Sequence, residues 1–124
     1  MAGAGAGPYG SIIAEHFRRP RNQGPLSEAT ASAEVVNPLC GDRIRMAVLV
    51  DGSTISEARF VANACAICVA AASLLTEHVR GMAPNDAARL GDESALALIG
   101  AVPAGRTRCA TLPAEALRRA LTGV

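Results

Sequence analysis

The chain has 124 residues, enough for one hydrophobic core and too few for two domains. Half of the residues are hydrophobic, which excludes disorder over most of the length; 26 of them are alanine and only three aromatic, so aliphatic and small side chains must build the core. All 12 basic residues are arginine, which removes Schiff-base lysines and the lysine of a phosphate-binding loop, and a net charge of +1 points to neither nucleic acid nor a membrane surface.

Residues 1–8 open a glycine- and alanine-rich stretch with no basic region and no bulky apolar run. They read as a flexible tail rather than a signal peptide, ahead of a single domain over residues 9–124. The pattern then predicts a helix over Tyr9–Arg18, with Ile12, Ile13 and Phe17 on one side and Pro20 as its stop. Arg21–Ser32 is small and polar, a loop. Ala33–Val36 is a strand, joined through Asn37-Pro38-Leu39-Cys40-Gly41 to the alternation of Ile44, Met46, Val48 and Val50 with Arg45, Ala47 and Leu49. Asp51-Gly52 is a hairpin turn, and the return strand runs from Thr54 to Ala62.

Helical spacing resumes at Cys65 and stops at Gly81. Pro84 opens a short helix, Asp92 caps another that ends before Gly100, and Glu115–Leu121 forms the last, with Pro113 in its entry. The order predicts an α+β fold: a three-stranded antiparallel sheet covered by helices on one side. The uncharged run Phe60–Thr76 contains Asn63, Ser73 and Thr76 and much alanine, short of the roughly 20 strongly apolar residues of a spanning helix. A cytoplasmic protein with reduced thiols is expected.

Its cysteines are Cys40, Cys65, Cys68 and Cys109. Their spacing fits no zinc finger, but three of them fall at loop ends or helix starts, which can converge at one end of a small sheet. Asp42 would point to the same side as Cys40 if that segment were extended. Three thiolates and a carboxylate would complete a tetrahedral site for zinc or one side of an iron–sulfur cluster. Two other accounts stand beside this one. The cysteines can be small core residues, with Asp42 an ordinary turn residue, and Cys65 and Cys68 can be a redox pair at a helix N-terminus. His16 and His78 adjoin no cysteine motif and read as packed or solvated; Arg18, Arg19 and Arg21 read as a solvated helix end.

Three ordered motifs add a resemblance. Asn37-Pro38-Leu39-Cys40-Gly41-Asp42-Arg43-Ile44, Ala64-Cys65-Ala66-Ile67 with its continuation to Gly81, and Arg106-Thr107-Arg108-Cys109-Ala110-Thr111-Leu112 resemble the NifU N-terminal domain family, which includes IscU and SufU proteins. Glu15-His16-Phe17 and Pro20-Arg21-Asn22-Gln23-Gly24 resemble its opening helix and loop. The resemblance covers about Tyr9 to Leu121 and implies that Cys40, Asp42, Cys65 and Cys109 are ligands of a transient [2Fe–2S] cluster, or of Zn2+ at the same site.

It implies a non-enzymatic iron–sulfur cluster assembly scaffold. Such a protein takes sulfur from a pyridoxal-phosphate cysteine desulfurase and passes clusters to apo iron–sulfur acceptor proteins. Zinc-dependent sulfur transfer of SufU type and a purely structural zinc site are the alternatives. Cys109 is the expected sulfur acceptor, since Arg106 and Arg108 beside it favour thiolate, and Arg106 is a desulfurase-docking candidate. Arg108 stands where IscU-type proteins carry histidine, as a basic residue does in SufU-type proteins, while the SufU-type insertion before the last motif is missing. The IscU chaperone motif is reduced to Val102-Pro103-Ala104-Gly105-Arg106, so no dedicated Hsp70 partner is expected. Cys68 is expected to be core filler.

Overall fold

The structure, a computed structural model, describes residues 10–39 and 41–122. The tail expected over residues 1–8, Tyr9 and Cys40 lie outside the described residues. The elements are α1 (Gly10–Arg18), β1 (Ala31–Val36), β2 (Arg43–Asp51), β3 (Thr54–Asn63), α2 (Ala66–Val79), α3 (Pro84–Ala88), α4 (Asp92–Ile99) and α5 (Thr107–Thr122).

The strands form one antiparallel sheet in the order β1-β2-β3. Its two faces follow the period-two pattern of β2: Ile44, Met46 and Val48 are fully buried, whereas Arg43 and Arg45 stand in solvent. Onto the apolar face pack α2, against β3, and α5, against β1 and β2; these two helices also pack on each other. The expected α+β architecture is the one observed. The hairpin closes at Asp51↔Thr54, so its two-residue loop is Gly52-Ser53 rather than Asp51-Gly52. Gly52 takes the positive φ of 65° that the first loop position of a type II′ turn requires.

The central helix α2 is buried on almost every side, with Cys68, Ala70, Ala72, Ser73 and Thr76 all inaccessible. Small side chains permit this, because they let α1, α5 and the sheet approach its backbone closely. Gly81, at φ 90°, carries the chain out of α2, and its N–H bonds the Ile55 carbonyl at 2.8 Å, tying the helix end to β3. Gly91, not Asp92, holds the N-cap position of α4.

Two further expectations are corrected. Of Ile12, Ile13 and Phe17, only Ile13 is buried; Ile12 and Phe17 are about half exposed, and His16 shares the buried face of α1. In addition, α5 begins at Thr107, about two turns before Glu115, and Pro113 lies inside it. An internal proline costs a helix roughly 3 kcal/mol. Burial of Leu112 and Leu117 in the core, worth about 1.5–3 kcal/mol each, offsets that cost.

His16 is held by hydrogen bonds. Ser73 Oγ accepts the Arg21 backbone N–H at 2.8 Å, which leaves its own proton to donate to His16 Nδ1, also 2.8 Å away. Arg21 pairs with Glu15 at 2.9 Å and is half-buried, so it is not part of a solvated end. Nearby, Asn22 Nδ2 donates to Thr76 Oγ1. Burial, then the Arg21 charge, lower the His16 pKa, against the opposing pull of Glu77 and Glu15. A depressed histidine pKa means that the fold favours the neutral ring. Its stabilising contribution is therefore present above about pH 6.5 and is lost as the pH falls through the lowered value. Urea midpoints are expected to drop between about pH 7.5 and about pH 5.5, with a shallower slope in His16→Gln. Ser73→Ala, which strands the Arg21 N–H, is expected to cost about 1–3 kcal/mol at neutral pH.

Candidate metal centre

The loop between β1 and β2 is a tight turn. Asn37 Oδ1 accepts the Leu39 N–H at 3.1 Å, the Asn37 carbonyl accepts the Gly41 N–H at 2.7 Å, and the Asn37 N–H donates to the Asp42 carbonyl at 2.8 Å. Gly41 needs its φ of 78° to close this loop. Asp42 therefore reaches its place through the bonds that Asn37 makes with Leu39, Gly41 and Asp42 itself. Asn37 shapes that turn. The sequence showed it only as a motif letter, although Asn before Pro is an Asx-turn signal.

Asp42 immediately precedes β2, whose first residue, Arg43, is paired with Asn63, the last of β3. Two residues after Asn63, Cys65 occupies the N-cap of α2 in extended conformation (φ −71°, ψ 168°) and is half-buried. Because α5 crosses β1 and β2, its first turn reaches the same end of the sheet and brings Cys109, which is 4% exposed. The expectation that Cys109 precedes the last helix is thus corrected: it lies inside α5, its N–H bonded to the Arg106 carbonyl at 3.1 Å.

A carboxylate oxygen of Asp42 and the sulfurs of Cys65 and Cys109 all lie within 4.8 Å of one another. Thiolates around a tetrahedral zinc stand about 3.8 Å apart, from Zn–S distances of about 2.3 Å, so small side-chain rotations bring these atoms to coordinating distance. Asp42 is 9% exposed, and its Oδ2 is buried without a hydrogen-bond partner among the described residues. An orphaned buried carboxylate oxygen is costly, and a cation beside two thiols would satisfy it. The donor set suits zinc or iron.

Cys68 is fully buried three residues after Cys65 and is not in this group. Neither histidine joins it; His78 is exposed at the far end of α2. Arg106 is exposed ahead of α5, whereas Arg108 pairs with Glu115 at 2.5 Å, two turns along the same helix, and Glu115 also holds Arg119 at 2.7 Å. Its guanidinium is thus paired with Glu115; of these two ion pairs, the sequence signalled only the second, through the four-residue spacing of Glu115 and Arg119. A cavity of about 120 Å3 opens on the outer sheet face beside Gly24 and Leu26, between Arg45 and Arg59, and is lined by none of the cysteines.

Residues 8–123 match the family model of the NifU-like N terminal domain. The chain is 31% identical over 113 residues to an iron–sulfur cluster assembly scaffold protein IscU of Archaeoglobus fulgidus, covering 91% of this chain and 74% of that protein. It is 32% identical over 130 residues to the zinc-dependent sulfurtransferase SufU of Bacillus subtilis, covering 90% and 87%. In fold it matches the crystal structure of a nitrogen-fixing NifU-like protein (N-terminal) from Brucella abortus, with a TM-score of 0.74, 21% identity and 92% of each chain covered.

Proposed function

Since this chain belongs to the NifU-like N-terminal domain family, we propose that it is an iron–sulfur cluster assembly scaffold that receives sulfur from a cysteine desulfurase and passes clusters to apo acceptor proteins. One observation carries this reading most: Asp42, Cys65 and Cys109, from three separate segments, meet within 4.8 Å, and Asp42 Oδ2 is buried without a hydrogen-bond partner among the described residues. Cys40 would complete the set from the loop that Asn37 shapes.

In this reading Cys109 takes the sulfur. Its thiolate attacks the terminal sulfur of the desulfurase persulfide, the S–S bond breaks, and the desulfurase cysteine leaves as thiolate. Since Cys109 is buried, the first turn of α5 must yield for this attack. Pro113 eases that, because it supplies no N–H to the turn before it. The exposed Arg106 contributes by pairing with acid on the docked desulfurase. The [2Fe–2S] cargo is then held by three soft thiolates and one harder, weaker carboxylate, which makes it releasable.

A second reading has its own support. Arg108 cannot ligate metal, no histidine joins the group among the described residues, and the similarity to the zinc-dependent SufU protein is as strong as that to the scaffold. Zinc would then sit on Cys40, Asp42, Cys65 and Cys109, where it would keep the thiols deprotonated. Anaerobic isolation separates the two: colour with iron and sulfide for the scaffold, colourless zinc for the sulfurtransferase. Sulfur delivery is common to both and is tested by incubating the chain with a cysteine desulfurase and cysteine, then alkylating rapidly. The earliest persulfide is expected on the peptide that carries Cys109. Arg106→Ala is expected to lower desulfurase stimulation several-fold with metal content unchanged. Persulfide on Cys40 or Cys65, with Cys109 unmodified from the first quench onward, would sink the assignment.

A further inference from the structure

Cys65 and Cys68 occupy the N-cap and N3 positions of α2, with Ala66 and Ile67 between them. The N-cap and N3 residues flank the same first turn of a helix, where each lies within reach of the other's backbone N–H. Cβ atoms three residues apart on a helix lie about 5–6 Å from one another, against about 3.5–4.5 Å in a disulfide. Closing that gap needs only a shift of the cap, and Cys65, with its extended φ and ψ, is outside the helix and able to make it. The environments of the two thiols are opposite. Cys65 is half-buried and within 4.8 Å of the Cys109 sulfur and the Asp42 carboxylate; Cys68 is inaccessible and excluded from that group. A thiol so placed is shielded from bulk reagents, and the cysteine nearest to it along the chain is Cys65.

We infer that Cys65 and Cys68 form an internal dithiol that reduces delivered sulfane sulfur to sulfide, a step that rests on the sulfur delivery proposed above. A persulfide on Cys109 passes its terminal sulfur to the Cys65 thiolate: one S–S bond breaks at Cys109, another forms at Cys65, and Cys109 departs as thiolate. The Cys68 thiol then attacks the inner sulfur of the Cys65 persulfide. The bond to the terminal sulfur breaks, and that sulfur leaves with the electron pair and the Cys68 proton as hydrogen sulfide. What remains is a Cys65–Cys68 disulfide. The sulfane sulfur has gained two electrons, one from each cysteine sulfur, and a small dithiol reductant restores the pair. Independently, the Asp42 carboxylate within 4.8 Å of the Cys65 sulfur has a buried Oδ2 without a hydrogen-bond partner among the described residues, which suits that side of Cys65 to a ligand.

The experiment uses the full chain, treated with a chelator and given one equivalent of sulfur without thiol reductant. One arm delivers sulfur with a cysteine desulfurase and cysteine, the other with inorganic polysulfide. Free sulfide is measured, and peptides cleaved after arginine are mapped; Cys65 and Cys68 share one peptide and Cys109 lies on another. The parent is expected to release about one sulfide per chain while the shared peptide loses two hydrogens, and Cys68→Ala to keep the sulfur as persulfide, with release at least about tenfold slower. Sulfide release with polysulfide but not with the desulfurase would refute the delivery reading and leave the dithiol standing. Release from Cys68→Ala at the parent rate would overturn the dithiol. So would a parent whose shared peptide shows no disulfide in either arm, a result that holds even if the variant misfolds.

Discussion

Cys65→Ser and Cys109→Ser are each expected to lower bound metal from one equivalent to less than about one tenth, and Cys68→Ser to leave it at the parent level. The two sulfurs stand with the Asp42 carboxylate inside one 4.8 Å group, and Cys68 does not. A serine hydroxyl in place of a thiolate is neutral and hard, a poor donor to zinc or iron, and the remaining ligands cannot hold the ion alone. Cys40→Ser is expected to match the first two on the strength of its motif. Metal that binds the fold but not the unfolded chain adds its binding free energy to stability, so these variants should also melt earlier and lose their response to added metal. Metal analysis after gel filtration, with paired thermal melts, provides the check. Retention of a full equivalent by Cys65→Ser or Cys109→Ser, or its loss in Cys68→Ser, would refute the ligand set.

Asp42→Ala is expected to act in opposite directions on function and on stability. Transfer of a reconstituted [2Fe–2S] cluster to an apo-ferredoxin should slow on the order of tenfold, because the weakest of the four ligands, where exchange begins, has gone. The metal-free protein should gain about 1 kcal/mol, because a buried carboxylate oxygen without a hydrogen-bond partner among the described residues is removed. Under the zinc reading the same variant binds zinc more weakly and carries no cluster. Stopped-flow transfer and urea melts of the metal-free protein measure the two effects. An Asp42→Ala protein that transfers at the parent rate would remove this side chain from the mechanism, and one whose apo form is less stable than the parent would show the carboxylate to be structurally engaged.

The order of elements, the two faces of the sheet and the stop at Gly81 were determined by the sequence alone. Each follows from local rules: alternation of Ile44, Met46 and Val48 with Arg43, Arg45 and Ala47, the turn chemistry around Gly52, and the positive φ that only glycine adopts cheaply. The motifs likewise singled out Asp42, Cys65 and Cys109 in advance. Which side chains meet was decided by the tertiary structure. Asp42, Cys65 and Cys109 are brought together by the pairing of Arg43 with Asn63 and by α5 crossing the sheet, contacts between residues far apart in the chain that spacing does not encode. Cys68, the cysteine closest in sequence to Cys65, is turned into the core instead. Local rules also misplace the start of α5. Pro113 reads as a helix entry, yet burial of Leu112 and Leu117 against the sheet outweighs the proline penalty and extends the helix back to Thr107, and this carries Cys109 into the site.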